Sequence, residues 1–212
     1  MRRRSCGRPA TLARRPPLAG LHPHNRHPLA MALRSTVFKA QLQVNDLDRH
    51  YYASHALTLA RHPSETDERL MVRLLAFGLN ADESLLFGAG LSTDDEADLW
   101  QRDYTGRITL WIDVGLPDPR LVKKAAARAD RVIVYAYGRT AGLWWDKSRG
   151  ELERLGNLDV YRLDTELTQT LARLAERAMQ FDCTVQDGSV LFSTSDDSYQ
   201  LSPEPLLRPA GC

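Results

Sequence analysis

The chain has 212 residues, of which 43% are hydrophobic and 26% are charged, a composition typical of an ordinary globular protein. Its length predicts one domain, or one domain with an appendage, and is sufficient to bury a core without disulfide or metal staples. The net charge of +1 is unevenly distributed, because residues 1–30 contain seven arginines and no acid, which leaves −6 on residues 31–212.

This acidic body is unlike an electrostatic DNA-binding protein, in which lysines and arginines cluster, but it is compatible with a small site for phosphate and metal. The three cysteines, Cys6, Cys183 and Cys212, show no CxxC spacing. Their number and spacing argue against a disulfide framework and a zinc site, and favour a reducing, cytoplasmic location. No apolar run approaches the roughly 18 residues that span a bilayer, so we expect no membrane partner.

Residues 1–30 lack the apolar stretch of a secretory signal. Their arginine-rich, acid-free composition leaves an organelle transit peptide open, although five prolines disfavour an amphipathic helix. We predict that residues 1–30 form a disordered or non-native leader, and that residues 31–212 form a single domain with its natural start at Met31.

The domain is predicted to open with a β-hairpin. Residues Thr36–Val44 alternate apolar and polar side chains from Phe38 onward, which is the pattern of a half-buried strand. Asn45–Asp48 supply turn residues, and His50–Arg61 alternate again as the return strand.

A helix is predicted after this hairpin. Residues 63–68 combine a proline with three acids, among them Glu65 and Glu68, and these residue types in a first turn are helix-start signals. An apolar face with helical spacing continues from there, and the helix should end by about Gly78.

The centre of the chain contains the strongest strand signals. Residues 88–98 are predicted to form an acidic loop, followed by a short strand over Asp98–Asp103. Ile108–Val114 is the strongest predicted strand, and a helix is predicted over residues 117–130. Arg131–Tyr137 form a nearly continuous apolar run, as expected of a strand buried on both faces.

The C-terminal part is predicted to contain two further helices, a strand and a hairpin. The helices cover Thr140–Leu155 and residues 164–179, with the strand Leu158–Leu163 between them. An Asp-Gly pair at residues 187–188 predicts a tight hairpin turn, and the proline-rich residues after Ser202 are expected to fray. The order of elements predicts an α/β domain.

Carboxylates recur where the central strands begin or end. Asp98 opens one strand, and Asp113 lies near the end of the next, fifteen positions later. Two carboxylates on adjacent strands can share one Mg²⁺, an ion that favours one or two carboxylates, waters and phosphate oxygens and that can activate water. The alternatives are that Asp98 caps a turn and that Asp113 is exposed before Gly115, although an unpaired charge in an apolar strand would be costly.

Four further side chains on neighbouring helices could assist this pair. Glu65 and Glu68 could hold the ion through water, or they could only complement the helix dipole. Lys123 or Lys124 could orient the attacking water or stabilise developing charge, or both could lie on a solvated helix face. Lys123 borders the apolar face of its helix and therefore has the better reach.

At these residues the sequence resembles the YaeQ family, and the similarity covers essentially all of residues 31–212. The matching stretches are Met31–Arg34, Leu57–Glu68 (LTLARHPSETDE), Asp94–Trp100 (DDEADLW), Leu110–Asp118 (LWIDVGLPD), Lys123–Ala125 and Gln186–Gly188. Nothing in residues 1–30 matches the family, which supports Met31 as the natural start.

The resemblance implies a fold related to the PD-(D/E)XK nucleases, in which a mixed sheet is flanked by helices, here with an N-terminal and a C-terminal β-hairpin. In that superfamily an acid on the first helix and acids on two strands bind magnesium. Carried over, Glu65 or Glu68 matches the helix acid, Asp98 matches the first strand acid, and Asp113 matches the second. Ala97 stands where the motif usually has proline.

The resemblance also reveals a departure from the superfamily pattern. The acid-x-Lys triplet of the second strand is Asp113-Val114-Gly115 here, so the lysine is missing. Variant members of the superfamily place a substitute lysine on the next helix, and Lys123 or Lys124 matches that position.

Two functional hypotheses follow. The first is a Mg²⁺-dependent phosphodiesterase, with Mn²⁺ as a substitute cation, that acts on DNA or RNA through Asp98, Asp113, Glu65 or Glu68, and Lys123 or Lys124. The second is a non-catalytic regulator that binds nucleic acid or protein on a nuclease-like scaffold, in a transcription-related role. The missing strand lysine and the acidic body motivate the second hypothesis.

Overall fold

Two β-sheets and four helices form the part of the chain that the structure, a computed structural model, describes: residues 35–88 and 96–208. The strands are β1 (Thr36–Asp46), β2 (Tyr51–Arg61), β3 (Leu86–Phe87), β4 (Leu99–Arg102), β5 (Ile108–Val114), β6 (Ala129–Ala136), β7 (Leu158–Arg162), β8 (Ala178–Gln186), β9 (Ser189–Ser193), β10 (Ser198–Leu201) and β11 (Glu204–Leu207). The helices are α1 (Asp67–Leu79), α2 (Pro119–Ala126), α3 (Ala141–Leu152) and α4 (Thr165–Ala172).

The first sheet joins the two ends of the domain, with strand order β10-β9-β8-β1-β2. The predicted N-terminal hairpin β1–β2 and C-terminal hairpin β8–β9 are both antiparallel, and β1 pairs with β8 in parallel. Alternate residues of β1, from Phe38 to Val44, are buried, so the period-2 pattern of the sequence sets which face packs inward.

The second sheet carries the central strands, in the order β11-β7-β6-β5-β4-β3. Strands β5, β6 and β7 are parallel, and β4 runs antiparallel to β5. The last five residues of β6 are all buried, as their apolar run predicts.

Helix α1 packs within the same core cluster as the first sheet and one face of the second. Leu70–Gly78 are buried without exception, and the packing at the helix end is so close that a Cβ on Gly78 would lie 2.8 Å from Cys183 Sγ. The opposite face of the second sheet is covered by α2 and α3, where Trp111, Val122 and Trp145 share a separate cluster.

The predicted mixed α/β architecture with flanking helices is therefore confirmed, whereas several element bounds were wrong. The helix predicted over residues 164–179 ends at Ala172, because Met179, Phe181 and Cys183 alternate as the inward face of β8. The segment expected to fray after Ser202 forms β11, which pairs with β7. Glu65 precedes the N-cap residue of α1 and is not part of the helix.

Two predictions fall partly or wholly on residues outside the described ranges. These are the leader over residues 1–30 and most of the acidic loop over residues 88–98. Among the helices that are described, none combines the length and apolar character needed to cross a membrane.

Candidate active site

The strand carrying Asp113 ends at a pocket of about 410 Å³ beside the carboxyl ends of β5 and β6. Ligands of sheets with parallel strands commonly bind at this edge. We call it the Asp113 pocket, and its lining includes Arg69, Trp111, Asp113, Gly115, Asp118 and Tyr137.

The rim of the pocket is fixed by the turn between β5 and α2. Gly115 has φ +102°, a left-handed backbone conformation that side-chain-bearing residues rarely adopt. Asp118 caps α2 by accepting from Arg120 N at 2.8 Å, and Pro119 occupies the first helical turn. The indole of Trp144 donates to the carbonyl oxygen of Pro117 at 2.9 Å and so anchors the turn from α3.

Asp98 lies beside this strand but is held by an arginine. The Arg69 guanidinium contacts Asp98 Oδ1 at 2.7 and 2.9 Å and Oδ2 at 2.8 Å, and Val114 N donates to Oδ2 at 2.8 Å. Burial raises the pKa of Asp98, while Arg69 and the Val114 amide act in the opposite direction. The structure therefore brings Asp98 next to Asp113, as predicted, and engages both of its oxygens.

Glu65 takes part in a second buried acid–arginine pair. Arg73 Nη1 lies 3.1 Å from Glu65 Oε1 and also donates to the carbonyl of Ala60 at 3.2 Å, while its Nη2 donates to the carbonyl of Gly88 at 3.0 Å. Both side chains of the pair are almost fully excluded from solvent. The contacts of Arg73 with Glu65 and Ala60 thus link α1 to the end of β2.

Glu68 lies in the first turn of α1, as predicted, and contacts another helix. Its Oε1 accepts from the hydroxyl of Thr168 on α4 at 2.6 Å. Thr168 is fully buried, so this bond satisfies a polar group at the α1–α4 contact.

Asp113 differs from the other predicted acids because it lines the pocket and forms no ion pair with any lysine or arginine of the described ranges. Burial, followed by the neighbouring Asp98 carboxylate, raises the pKa of Asp113 to about 7. The Trp111 indole, the Asp98 amide and Arg69 lower that pKa by smaller amounts. The Trp111 Nε1 is buried and has no hydrogen bond of standard geometry to the described residues.

Lys123 and Lys124 lie on α2, as predicted, and both are exposed. The ammonium of Lys123 lies 2.5 Å from Glu151 on α3, and neither lysine is among the described residues that line the Asp113 pocket. Among the described residues of the lining, Arg69 is the basic side chain.

Arg69, Arg73 and Tyr137 are the site residues that sequence reasoning missed. Arg73 carried one signal, since it falls within the buried apolar face of α1, where an unpaired charge would be costly. Burial raises the pKa of Tyr137 to about 12, so its hydroxyl stays neutral at pH 7 and can donate a hydrogen bond.

The fold and site together define a mixed α/β protein with two mixed sheets, flanking helices and a pocket at the edge of the parallel strands that is lined by Asp113. The family model described as YaeQ protein matches residues 31–203. The protein named "Uncharacterized protein YaeQ" from Salmonella typhi is 44% identical over 181 residues, which are 85% of this chain and 100% of that protein. Its namesake from Escherichia coli K12 is 42% identical over the same shares. The chain belongs to the YaeQ family.

Solved structures show the same architecture. The YaeQ protein of Xanthomonas axonopodis pv. citri is 51% identical, with a TM-score of 0.79 over 82% of this chain and 99% of that one. The YaeQ protein of Pseudomonas syringae is 34% identical, also with a TM-score of 0.79, over 84% of this chain and 98% of that one. The family predicted from the sequence is therefore confirmed.

Proposed function

We propose that the chain is a divalent-cation-dependent hydrolase of phosphodiesters in DNA or RNA, with Mg²⁺ as the cation and Mn²⁺ as its substitute. The observation that carries the proposal is the Asp113 carboxylate. It lines a pocket and has no ion-pair partner in the described ranges, and a second carboxylate, Asp98, lies next to it. The relation to PD-(D/E)XK nucleases, implied by the sequence resemblance, is part of this proposal.

The chemistry of the donor set fits magnesium. Mg²⁺ takes one or two carboxylates and fills its remaining positions with water and phosphate oxygens, so it does not need a larger cage. The described ranges contain no group of three or more His, Cys, Asp or Glu that could hold a metal, and Asp98 and Asp113 are the two-carboxylate alternative. Glu65, predicted as a further ligand, is bound by Arg73 instead.

The two carboxylates would contribute unequally. Asp113 would be the principal ligand, because its charge is disfavoured by burial and by Asp98, and a bound cation would offset both effects. Asp98 would contribute less, because Arg69 already engages both of its oxygens. When bound, the cation would polarise the phosphodiester and generate a nucleophilic water.

The chain's own side chains would orient the substrate. Arg69 lines the pocket with a charged guanidinium, which is suited to phosphate oxygens, and it would replace the lysine missing at Gly115 as the basic group of the site. Tyr137, whose hydroxyl is neutral, would donate to a non-bridging oxygen. Lys123 and Lys124 remain candidates only if α2 shifts, since neither lines the pocket.

The test is hydrolysis of single-stranded and double-stranded DNA and RNA by the purified full chain, with Mg²⁺, Mn²⁺ or EDTA. Asp113→Asn should reduce cation-dependent cleavage to background. Asp182→Asn is the matched control, because Asp182 is exposed on β8 in the other sheet. Equal cleavage by the wild type and Asp113→Asn would assign the activity to a contaminant and remove the proposal.

A second candidate function is favoured by the arginines. Arg69 and Arg73 neutralise two of the predicted metal ligands, Asp98 and Glu65, which suits a non-catalytic module that binds nucleic acid or protein. This candidate predicts no turnover and unchanged partner binding after Asp113→Asn. Calorimetric titration with Mn²⁺ distinguishes the two candidates. The hydrolase requires that Mn²⁺ binds to the wild type and that Asp113→Asn loses this binding.

A further inference from the structure

A second pocket, of about 370 Å³, lies between the two sheets and shares no lining residue with the Asp113 pocket. We call it the inter-sheet pocket. Val185 and Gly188 reach it from the end of β8 and the turn after it, whereas Ile133, Tyr135 and Tyr161 reach it from the second sheet. Its volume falls in the range of about 300–1,000 Å³ that small-molecule sites occupy.

Three arginines from distant parts of the chain converge on this pocket: Arg49 from the turn after β1, Arg131 from β6, and Arg208 after β11. Arg49 is oriented by its Nε contact with Asp46 at 2.7 Å and by donation to the carbonyl of Ala81 at 3.1 Å.

The other two arginines are also positioned. Arg131 is oriented by its Nε contact with the buried Asp159 at 2.8 Å, so its two terminal nitrogens are the atoms that can reach a ligand. The guanidinium of Arg208 lies over the ring of Tyr161, 5.9 Å from the centroid. Oriented guanidinium groups around a concavity are suited to binding an anion.

The floor of the inter-sheet pocket supplies a neutral donor. Asn80 Nδ2 donates to the hydroxyl of Tyr135 at 2.8 Å, which leaves the hydroxyl proton of Tyr135 to donate elsewhere. Burial raises the pKa of Tyr135, so this proton is retained at neutral pH. The ring of Tyr135 is stacked on Tyr161, with centroids 5.6 Å apart, which fixes the floor.

One acid, Asp82, is present in the lining, and its Oδ1 is occupied by neutral donors. Its Oδ1 accepts from the amide and the hydroxyl of Ser84 at 2.8 and 2.6 Å, and from Gln101 Nε2 at 3.0 Å. The lining itself carries three arginines and Asp82, while Asp46 and Asp159, which pair with Arg49 and Arg131, lie outside it and balance those two charges.

We propose that the inter-sheet pocket binds a small organic phosphate of mononucleotide size or less. Three guanidinium groups that approach from separate elements require an anion whose oxygens point in several directions. A phosphate ester presents three acceptor oxygens, whereas a carboxylate presents two in one plane. The cavity space beyond the arginines and the tyrosine floor would hold the organic part.

The experiment is isothermal titration of the full chain with AMP, inorganic phosphate and citrate at matched ionic strength. AMP should bind, and it should bind more tightly than either inorganic phosphate or citrate. Arg208→Gln should weaken AMP binding by about fivefold to tenfold, because one charge-assisted contact is lost. Arg208 is exposed after the last strand, so its removal leaves the core intact.

Two further variants complete the test. Arg131→Lys keeps the charge beside Asp159 but removes the guanidinium fork, and should weaken AMP binding several-fold. Arg149→Gln, on the exposed face of α3, should leave it unchanged. Absence of AMP binding, or equal affinity in Arg208→Gln and the wild type, would overturn the proposal, as would inorganic phosphate binding as tightly as AMP. Asp113→Asn should keep AMP binding, so this proposal and the hydrolase can fail separately.

Discussion

Replacing Arg73 with methionine should destabilise the fold strongly, because the side chain is a buried cation that holds three separate segments together. Its guanidinium contacts Glu65, the carbonyl of Ala60 in β2 and the carbonyl of Gly88 after β3. The exposed fraction is 0% for the Arg73 side chain and 1% for the Glu65 side chain. Methionine keeps most of the packing volume while it removes the charge and all three contacts.

The size of the effect follows from this burial. Removing one partner of a buried ion pair costs about 3–5 kcal/mol, mainly because the remaining charge stays buried without a partner. For a domain of this length, about 1 kcal/mol changes the melting temperature by about 2–4 °C, so Arg73→Met should melt about 6–20 °C below the wild type.

The assay is equilibrium urea unfolding followed by circular dichroism, with a constant m-value as the check that only stability has changed. Combining Arg73→Met with Glu65→Gln should recover part of the loss, because glutamine removes the uncompensated charge. Arg149→Met on exposed α3 is the matched control and should change the free energy of unfolding by less than about 0.5 kcal/mol. A loss below about 1 kcal/mol for Arg73→Met, or no recovery in the double variant, would refute the reasoning.

Three further predictions concern single positions. Because the pKa of Asp113 is raised to about 7 in the folded protein, ionisation of this carboxyl destabilises the fold as pH rises from about 4 to 7. In EDTA, Asp113→Asn should therefore be more stable than the wild type by up to about 4 kcal/mol at pH 8 and by almost nothing at pH 4. A gain that does not depend on pH in urea unfolding would contradict this prediction. Gly78→Ala should cost about 1–3 kcal/mol in the same measurement, since its Cβ would lie 2.8 Å from Cys183 Sγ, and adding Cys183→Ala should relieve most of the cost; no relief would show that the crowding lies elsewhere. Gly115→Lys should lower the free energy of unfolding by about 1–3 kcal/mol, because the φ of +102° strains any side-chain-bearing residue there. It should not increase cation-dependent cleavage. A variant that is as stable as the wild type and more active would contradict this prediction.

Much of the fold was predictable because the patterns that specify it are local. Alternation in β1 and β2 and the Asp-Gly turn at residues 187–188 gave both hairpins, and the apolar run of β6 gave a central buried strand. The helix over residues 164–179 was predicted too long because apolar residues continue into β8, where their spacing changes from helical to alternating. The parallel pairing of β1 with β8 has no local signal, and so the joining of the two hairpins into a separate first sheet was not predicted.

The candidate site divides in the same way. Asp98 and Asp113 were expected to be neighbours, since they lie at the ends of strands that pair directly, and the register of β4 and β5 places them so. The pairing of Arg69 with Asp98 joins residues 29 positions apart and depends on how α1 packs against β5, which residue spacing does not encode. Lys123 was placed correctly on its helix, but its position on the helix could not show that its ammonium contacts Glu151 on α3.

The pairing of β1 with β8 has a consequence for how the chain is made. Lys39 sits opposite Ala178, so the centre of the first sheet cannot close until nearly the whole domain has left the ribosome. During synthesis the hairpin β1–β2 can form before β8 has been made. Until then the strand β1, which carries Phe38, Leu42 and Val44, lacks its pairing partner β8. Contacts this far apart in sequence slow folding and prolong the exposure of unpaired strand edges. Helix α1, which is made directly after the hairpin and shares its core, is the segment best placed to shield that face in the interval.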